Sequence, residues 1–182
     1  MAEAFSNAVT RAAGIVTTST ACSIGIQTNK ISGIATNLIS VGYLIDNTNY
    51  LAGSKVENFG TAANEVVVDR DSTNTAAVTA TGIVKALGPT SAYTAPSTEK
   101  AILIGGTFAN NTAQQINLTV GVWDNSAGKE VQLASKIPVP TGSSFVISDA
   151  GKSVLEANDA IRVYSDSANA VDVTLAVLTG VS

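Results

Sequence analysis

The nine residues INLTVGVWD, 116–124, constrain this chain more than any other feature. Ile116, Leu118, Val120 and Val122 alternate without a break against Asn117, Thr119, Gly121 and Trp123. A period of two is the mark of a half-buried strand and is incompatible with a helix stripe. VDVTLAVL repeats the pattern with Val171, Val173, Leu175 and Val177, and AIRVYSD turns Ile161 and Val163 the same way. Turn sequences NSAGK and TGSS separate such runs, and Pro138 and Pro140 push the end of EVQLASKIPVP to a sheet edge. Half-buried strands joined by short turns predict an antiparallel β-sandwich over residues 88–182.

Residues 14–87 read as a second, small β module. NEVVVDRD carries three consecutive valines between polar residues, and Gly25, Gly33, Gly42, Gly53, Gly60 and Gly82 recur at strand-sized intervals. GPTSAYTAPSTEK, 88–100, has no clear period and reads as a linker or irregular lead-in. Residues 1–13 form an N-terminal arm. Phe5 and Val9, four apart, suit one face of two helical turns. Such an arm would anchor against another subunit and be removable without unfolding the rest. The fold class expected is therefore all-β, a sandwich with a second β module inserted near the N-terminus. If the module is an insertion, its two ends near Gly14 and Gly88 should be adjacent.

Composition closes several function classes. Charged residues are 13% of the chain and the net charge is −4. The ten basic residues are scattered singly, which leaves no footprint for nucleic acid. No apolar run is long enough to span a membrane as a helix. Glu3 and the lack of an apolar stretch near it argue against a signal peptide. With no histidine, Ser-His-Asp and Cys-His catalysis and most zinc sites fall away. The single cysteine, Cys22, reads as a small apolar strand residue.

Carboxylates are the remaining chemistry. DRDSTN, with Asp69, Asp71 and Asn74, loosely resembles a calcium loop but lacks the loop glycine and the distal glutamate; it reads as a polar turn. Glu156 and Asp159 in LEANDAIRV would need to face each other across a cleft to act as a glycosidase pair. At a turn, Asn158 suits a left-handed conformation and Asp159 suits capping of backbone amides. Trp123, Tyr43, Tyr50, Tyr93 and Tyr164 offer a sugar platform or buried intermolecular contact, with Trp123 on the outward face. Asn110 and Asn117 match glycosylation acceptors by chance in an Asn/Thr-rich chain. No catalytic, cofactor-binding or metal-binding residue is assigned, and an enzyme is not expected.

TSAYTAPSTEKAILIGGTFANNTAQQINLTVGVWD, SKIPVPTGSSFVI and SVLEANDAIRVYSDSANAVDVTLAVL resemble a group of small virion structural proteins of tailed phages, cyanophages included. The resemblance covers residues 5–14 and about 88–182; some seventy residues stand between arm and sandwich where the group has none. That intervening piece, ISVGYLIDNTNYLAGSKVENFGTAANEVVVDRDSTNTA, is similar to a small β module repeated in phage structural and fibre proteins. The resemblance implies a capsid decoration or cement protein located in the virion and partnered with the major capsid protein. Small β units without disulfide or metal gain stability by assembly, so a homo-oligomer is expected, a trimer being favoured. A tail or neck component and a host-surface carbohydrate-binding module are the other readings.

Overall fold

A computed structural model describes residues 3–148 and 152–181; the first two residues of the expected arm lie outside them. The chain divides into two compact units, one of residues 1–14 with 89–182 and one of Ile15–Gly88. Strands dominate both, and the one helical element described is a 3-10 turn at Thr36–Leu38.

The first unit is a sandwich of two antiparallel sheets. In chain order its strands are β1 (Ala4–Ala13), β8 (Thr90–Thr94), β9 (Lys100–Asn110), β10 (Ile116–Asp124), β11 (Lys129–Val139), β12 (Ser144–Ile147), β13 (Ser153–Leu155), β14 (Ala160–Ser165) and β15 (Val171–Val181). One sheet runs β1-β15-β9-β12, with β13 also pairing β9; the other runs β11-β10-β14-β8. Their inner faces supply one core. Leu103, Phe108, Val171, Val173, Leu175 and Val177 come from the first sheet; Leu118, Val120, Ile161 and Val163 from the second. Each is at most 2% exposed, and burying such a side chain contributes roughly 1.5–3 kcal/mol.

Two local expectations are overturned here. The arm is not helical: it is the edge strand β1, paired antiparallel with β15 from Ala4↔Thr179 to Thr10↔Val173. Phe5 and Val9 share a face at a separation of four in a strand as well as in a helix, so their spacing could not discriminate. Ala13 is buried and Ala8 packs on the core, so the arm is part of the sandwich and not an appendage. The segment 88–100 is not wholly irregular either. Its residues Thr90–Thr94 form β8 on β14, with a register shift that hides the period.

The second unit comprises β2 (Ile15–Ile24), β3 (Lys30–Ser32), β4 (Leu44–Asp46), β5 (Val56–Phe59), β6 (Glu65–Val68) and β7 (Val78–Gly88), ordered β4-β7-β2-β3-β6-β5. This sheet closes on itself. Leu44 bridges Lys55 in antiparallel sense. The Ile45 amide donates to Ser54 O at 2.7 Å and the Val56 amide to Tyr43 O at 2.8 Å. The chain entering β5 is thereby the neighbour of β4, and the six strands make a small barrel. Every strand sends a side chain inside: Cys22 and Ile24, Ile31, Ile45, Val56, Val66 and Val68, Val84 and Ala86.

The junctions between the units are ordered on each side. Within the barrel, its first residue pairs with its last, Ile15↔Gly88. Within the sandwich, the Gly14 amide donates to Thr90 Oγ1 at 3.2 Å, and Gly14 O accepts from the Asn169 amide at 2.9 Å. Gly14 has φ +120°, and a Cβ there would lie 2.7 Å from Ser167 O, so only glycine fits.

Candidate functional site

The turn carboxylates are structural in geometry. Asp159 is buried; its Oδ2 accepts the Glu156 amide and its Oδ1 the Asn125 amide, both at 2.9 Å. Asn158 has φ +66°, the left-handed conformation this turn requires. Glu156 points elsewhere, pairing with Lys100 Nζ at 2.9 Å at the surface. In the barrel, Asp69 Oδ1 accepts the Lys55 amide at 2.9 Å, next to the closing bridge. Asn74 spends its Nδ2 on the carbonyls of Gly25 and Ala76. Asp71 is exposed. Among the described residues, no three His, Cys, Asp or Glu gather as a metal would need.

The aromatic residues do not form one platform. Tyr43 and Tyr50 belong to the barrel core. Burial, with a smaller push from Asp71 and against the Ser72 hydrogen bond, raises the Tyr50 hydroxyl to about 12; it donates to Thr28 O at 3.0 Å. Tyr93 packs against the sandwich core, its hydroxyl raised by burial and then by Glu99. Cys22 is fully buried, and burial pushes its thiol up despite the Val84 backbone hydrogen bond, so it is not a reactive thiolate. Asn110 is also enclosed, its Nδ2 donating to the carbonyls of Gln114 and Val139. Asn117 Nδ2 is held by Asp166 Oδ2 at 2.9 Å.

Trp123 is half-buried, not open as its outward position implied. The Arg162 guanidinium covers its ring at 3.9 Å from the centroid. Arg162 also approaches Glu130 at 3.6 Å, and the Tyr164 hydroxyl donates to Glu130 Oε2 at 2.6 Å. Burial first, then the charge of Glu130, pushes the Tyr164 hydroxyl far above the ordinary phenol range, so it remains a donor. Gly121 makes this possible: a Cβ there would lie 2.7 Å from Glu130 Oε1. The cluster stiffens the outer face of the β11-β10-β14-β8 sheet. It covers one face of the indole on which a sugar could otherwise stack.

The outer face of the other sheet is different. Register places Phe5, Leu178, Ile102 and Val154 in one row across β1, β15, β9 and β13. A second row runs Val9, Thr174, Thr107 and Val146. Between them lie Asn7, Ala176 and Gly105. The four residues at the rims are exposed: Phe5 79%, Val9 74%, Val146 57% and Val154 58%. A shallow depression of about 210 Å³ opens at Phe5, Asn7 and Ala176. No family model, curated protein or solved structure matches the chain. The site is thus defined by its geometry: a wide, nearly uncharged, partly apolar sheet face.

Sequence reasoning found neither the rows nor the Glu130–Arg162 pair. Phe5, Ile102, Val154 and Leu178 come from four separate stretches, and only pairing register puts them side by side. A faint signal existed in Arg162, a charged residue between two inward apolar ones, on the face where Trp123 also points.

Proposed function

We propose that this chain is a non-enzymatic structural protein of a tailed-phage virion that decorates and cements the capsid shell. It binds the major capsid protein and copies of itself. The observation that carries this reading is the apolar face made by Phe5, Leu178, Ile102 and Val154 with the Val9–Val146 row. Monomeric proteins rarely leave contiguous apolar patches larger than a few hundred Å² uncovered. A flat face of small, uncharged and apolar groups suits a broad protein surface better than a small ligand, which favours a concave site. The resemblance of residues 5–14 and 88–182 to small virion proteins supplies the kind of partner. Many modest contacts repeated over a lattice add up by avidity without any single tight site.

The test is attachment. Val146→Asp with Val154→Asp places two charges on exposed positions of the face, so the fold should persist while occupancy on purified particles falls. Locating and counting the chain in imaged virions completes it. Hundreds of copies on the shell support decoration. Six or twelve copies at the neck, or undiminished occupancy of the double variant, would reject it.

A further inference from the structure

We infer that β1 is a homotypic pairing edge: two copies of this chain join β1 to β1 antiparallel about a two-fold axis through Asn7, fusing two five-stranded sheets into one. This goes beyond the virion reading and does not depend on it.

The first observation is that β1 is an unguarded edge. Natural edge strands are blunted by proline, lysine, bulges or brevity. The β11 edge carries Pro138, Lys129 and Lys136, the last at φ +49°. The β8 edge is five residues long and shifted in register. The remaining sheet edge is split between β12 and β13, of four and three residues. By contrast β1 keeps an unbroken register from Ala4 to Thr10, with neither proline nor lysine, and its irregularity begins only at Arg11 and Ala12.

The second observation is that the strand is complementary to itself at a single register. An antiparallel pair centred on residue 7 matches positions whose numbers sum to fourteen. Phe5 then faces the partner's Val9, and Val9 the partner's Phe5. These are the two most exposed large apolar side chains among the described residues. Glu3 faces the partner's Arg11 at both ends, and the two Asn7 meet on the axis. Cross-strand apolar and opposite-charge pairs are the units of sheet stabilisation. Among the described residues, neither Glu3 nor Arg11 has an ion pair within its own chain. Centring the pair one residue away, on Ser6 or Ala8, breaks the matches. A sum of twelve sets Phe5 against Asn7. A sum of sixteen sets Val9 against Asn7 and the apolar Phe5 against the charged Arg11. An isologous pair about an axis perpendicular to the sheet keeps each face on its own side. The apolar rows of both copies then lie on one continuous surface.

Cysteine linking tests the register, in a Cys22→Ala background so that the native thiol is absent. Directly opposed residues lie about 4.5–5.5 Å apart at Cα, within disulfide reach. Asn7→Cys should therefore give a covalent dimer on mild oxidation. Phe5→Cys alone and Val9→Cys alone should not, because like positions are four residues, about 13 Å, apart along the strand; the two mixed together should link. Charge tests the ends. Glu3→Arg or Arg11→Glu should each weaken the dimer roughly tenfold in sedimentation, and the double variant should recover it. The substituted positions of the arm, Glu3, Phe5, Asn7, Val9 and Arg11, are exposed, and Trp123 fluorescence checks the fold. Four results would overturn the inference: a monomer or a trimer in sedimentation, no covalent dimer from Asn7→Cys, Phe5→Cys linking as well alone as in the mixture, or no recovery in the double charge variant.

Discussion

The sandwich unit ends its sheets at β1, β8, β11 and the β12/β13 rim, whereas the barrel unit closes its six strands through Leu44 and Lys55 and has no comparable edge. Both are made of the same materials: short β-branched runs, glycine-punctuated turns, few charges. The difference lies in where unsatisfied backbone remains. A closed barrel has consumed its pairing capacity internally. An open sandwich retains it. Sheet edges open to further strand pairing therefore lie in the sandwich. The two cores differ correspondingly in construction: two facing sheets in one, the inside of a single rolled sheet in the other.

The largest test of this contrast is Phe108→Ala. Phe108 is fully buried between the sandwich sheets, with the Phe145 ring 6.0 Å away. Its truncation should cost about 3–5 kcal/mol. Trp123, the chain's one tryptophan, should report that loss by fluorescence in denaturant. Amides of Ile31 and Val66 in the barrel should keep their hydrogen-exchange protection; their loss in step would mean that the units do not unfold separately. Next in size is Asp159→Ala. It strips the Glu156 and Asn125 amides of their acceptor, at about 1–3 kcal/mol for each amide left unpaired, and lowers the denaturant midpoint of the sandwich. Glu156→Ala, which breaks a surface pair, should cost less than about 1 kcal/mol. A catalytic pair would instead lose activity in both variants.

Asp69→Ala probes the barrel closure by removing the acceptor of the Lys55 amide. A loss of about 1 kcal/mol is expected in the barrel's melting, independent of calcium. Calcium-dependent stabilisation abolished by this variant would instead assign Asp69 to a cation. The last effect is confined to alkaline pH. Tyr50 is raised to about 12 in the folded barrel, above the ordinary phenol value near 10. Its contribution is complete below pH 10 and is lost as pH climbs through 12. Tyr50→Phe should flatten the barrel's stability between those values. The Tyr164 hydroxyl is raised as well, so the sandwich should decline in alkali by its own route, one that Tyr164→Phe removes.

Strand identity was legible wherever alternation was strict. Val171, Val173, Leu175 and Val177 are all inward, as their period demands. It failed where one spacing served two periods, as with Phe5 and Val9, and where a shifted register blurred alternation, as in β8. Barrel closure was illegible because it rests on backbone bonds of Tyr43, Ile45, Ser54 and Val56, which leave no side-chain signature. The apolar rows and the Trp123–Arg162–Glu130–Tyr164 cluster were hidden for a related reason. Both are properties of which strand lies beside which, and local sequence does not encode that order.

The paired ends at residues 14–15 and 88–90 make the barrel a cassette. With Gly14 already bonded to Thr90 in the sandwich, cutting out residues 15–88 and joining Gly14 to Pro89 asks the chain to cross almost no distance. The loop-closure cost of restoring an uninterrupted sandwich is correspondingly small. The same port should accept any other domain whose own first and last residues stand side by side, turning the sandwich into a carrier.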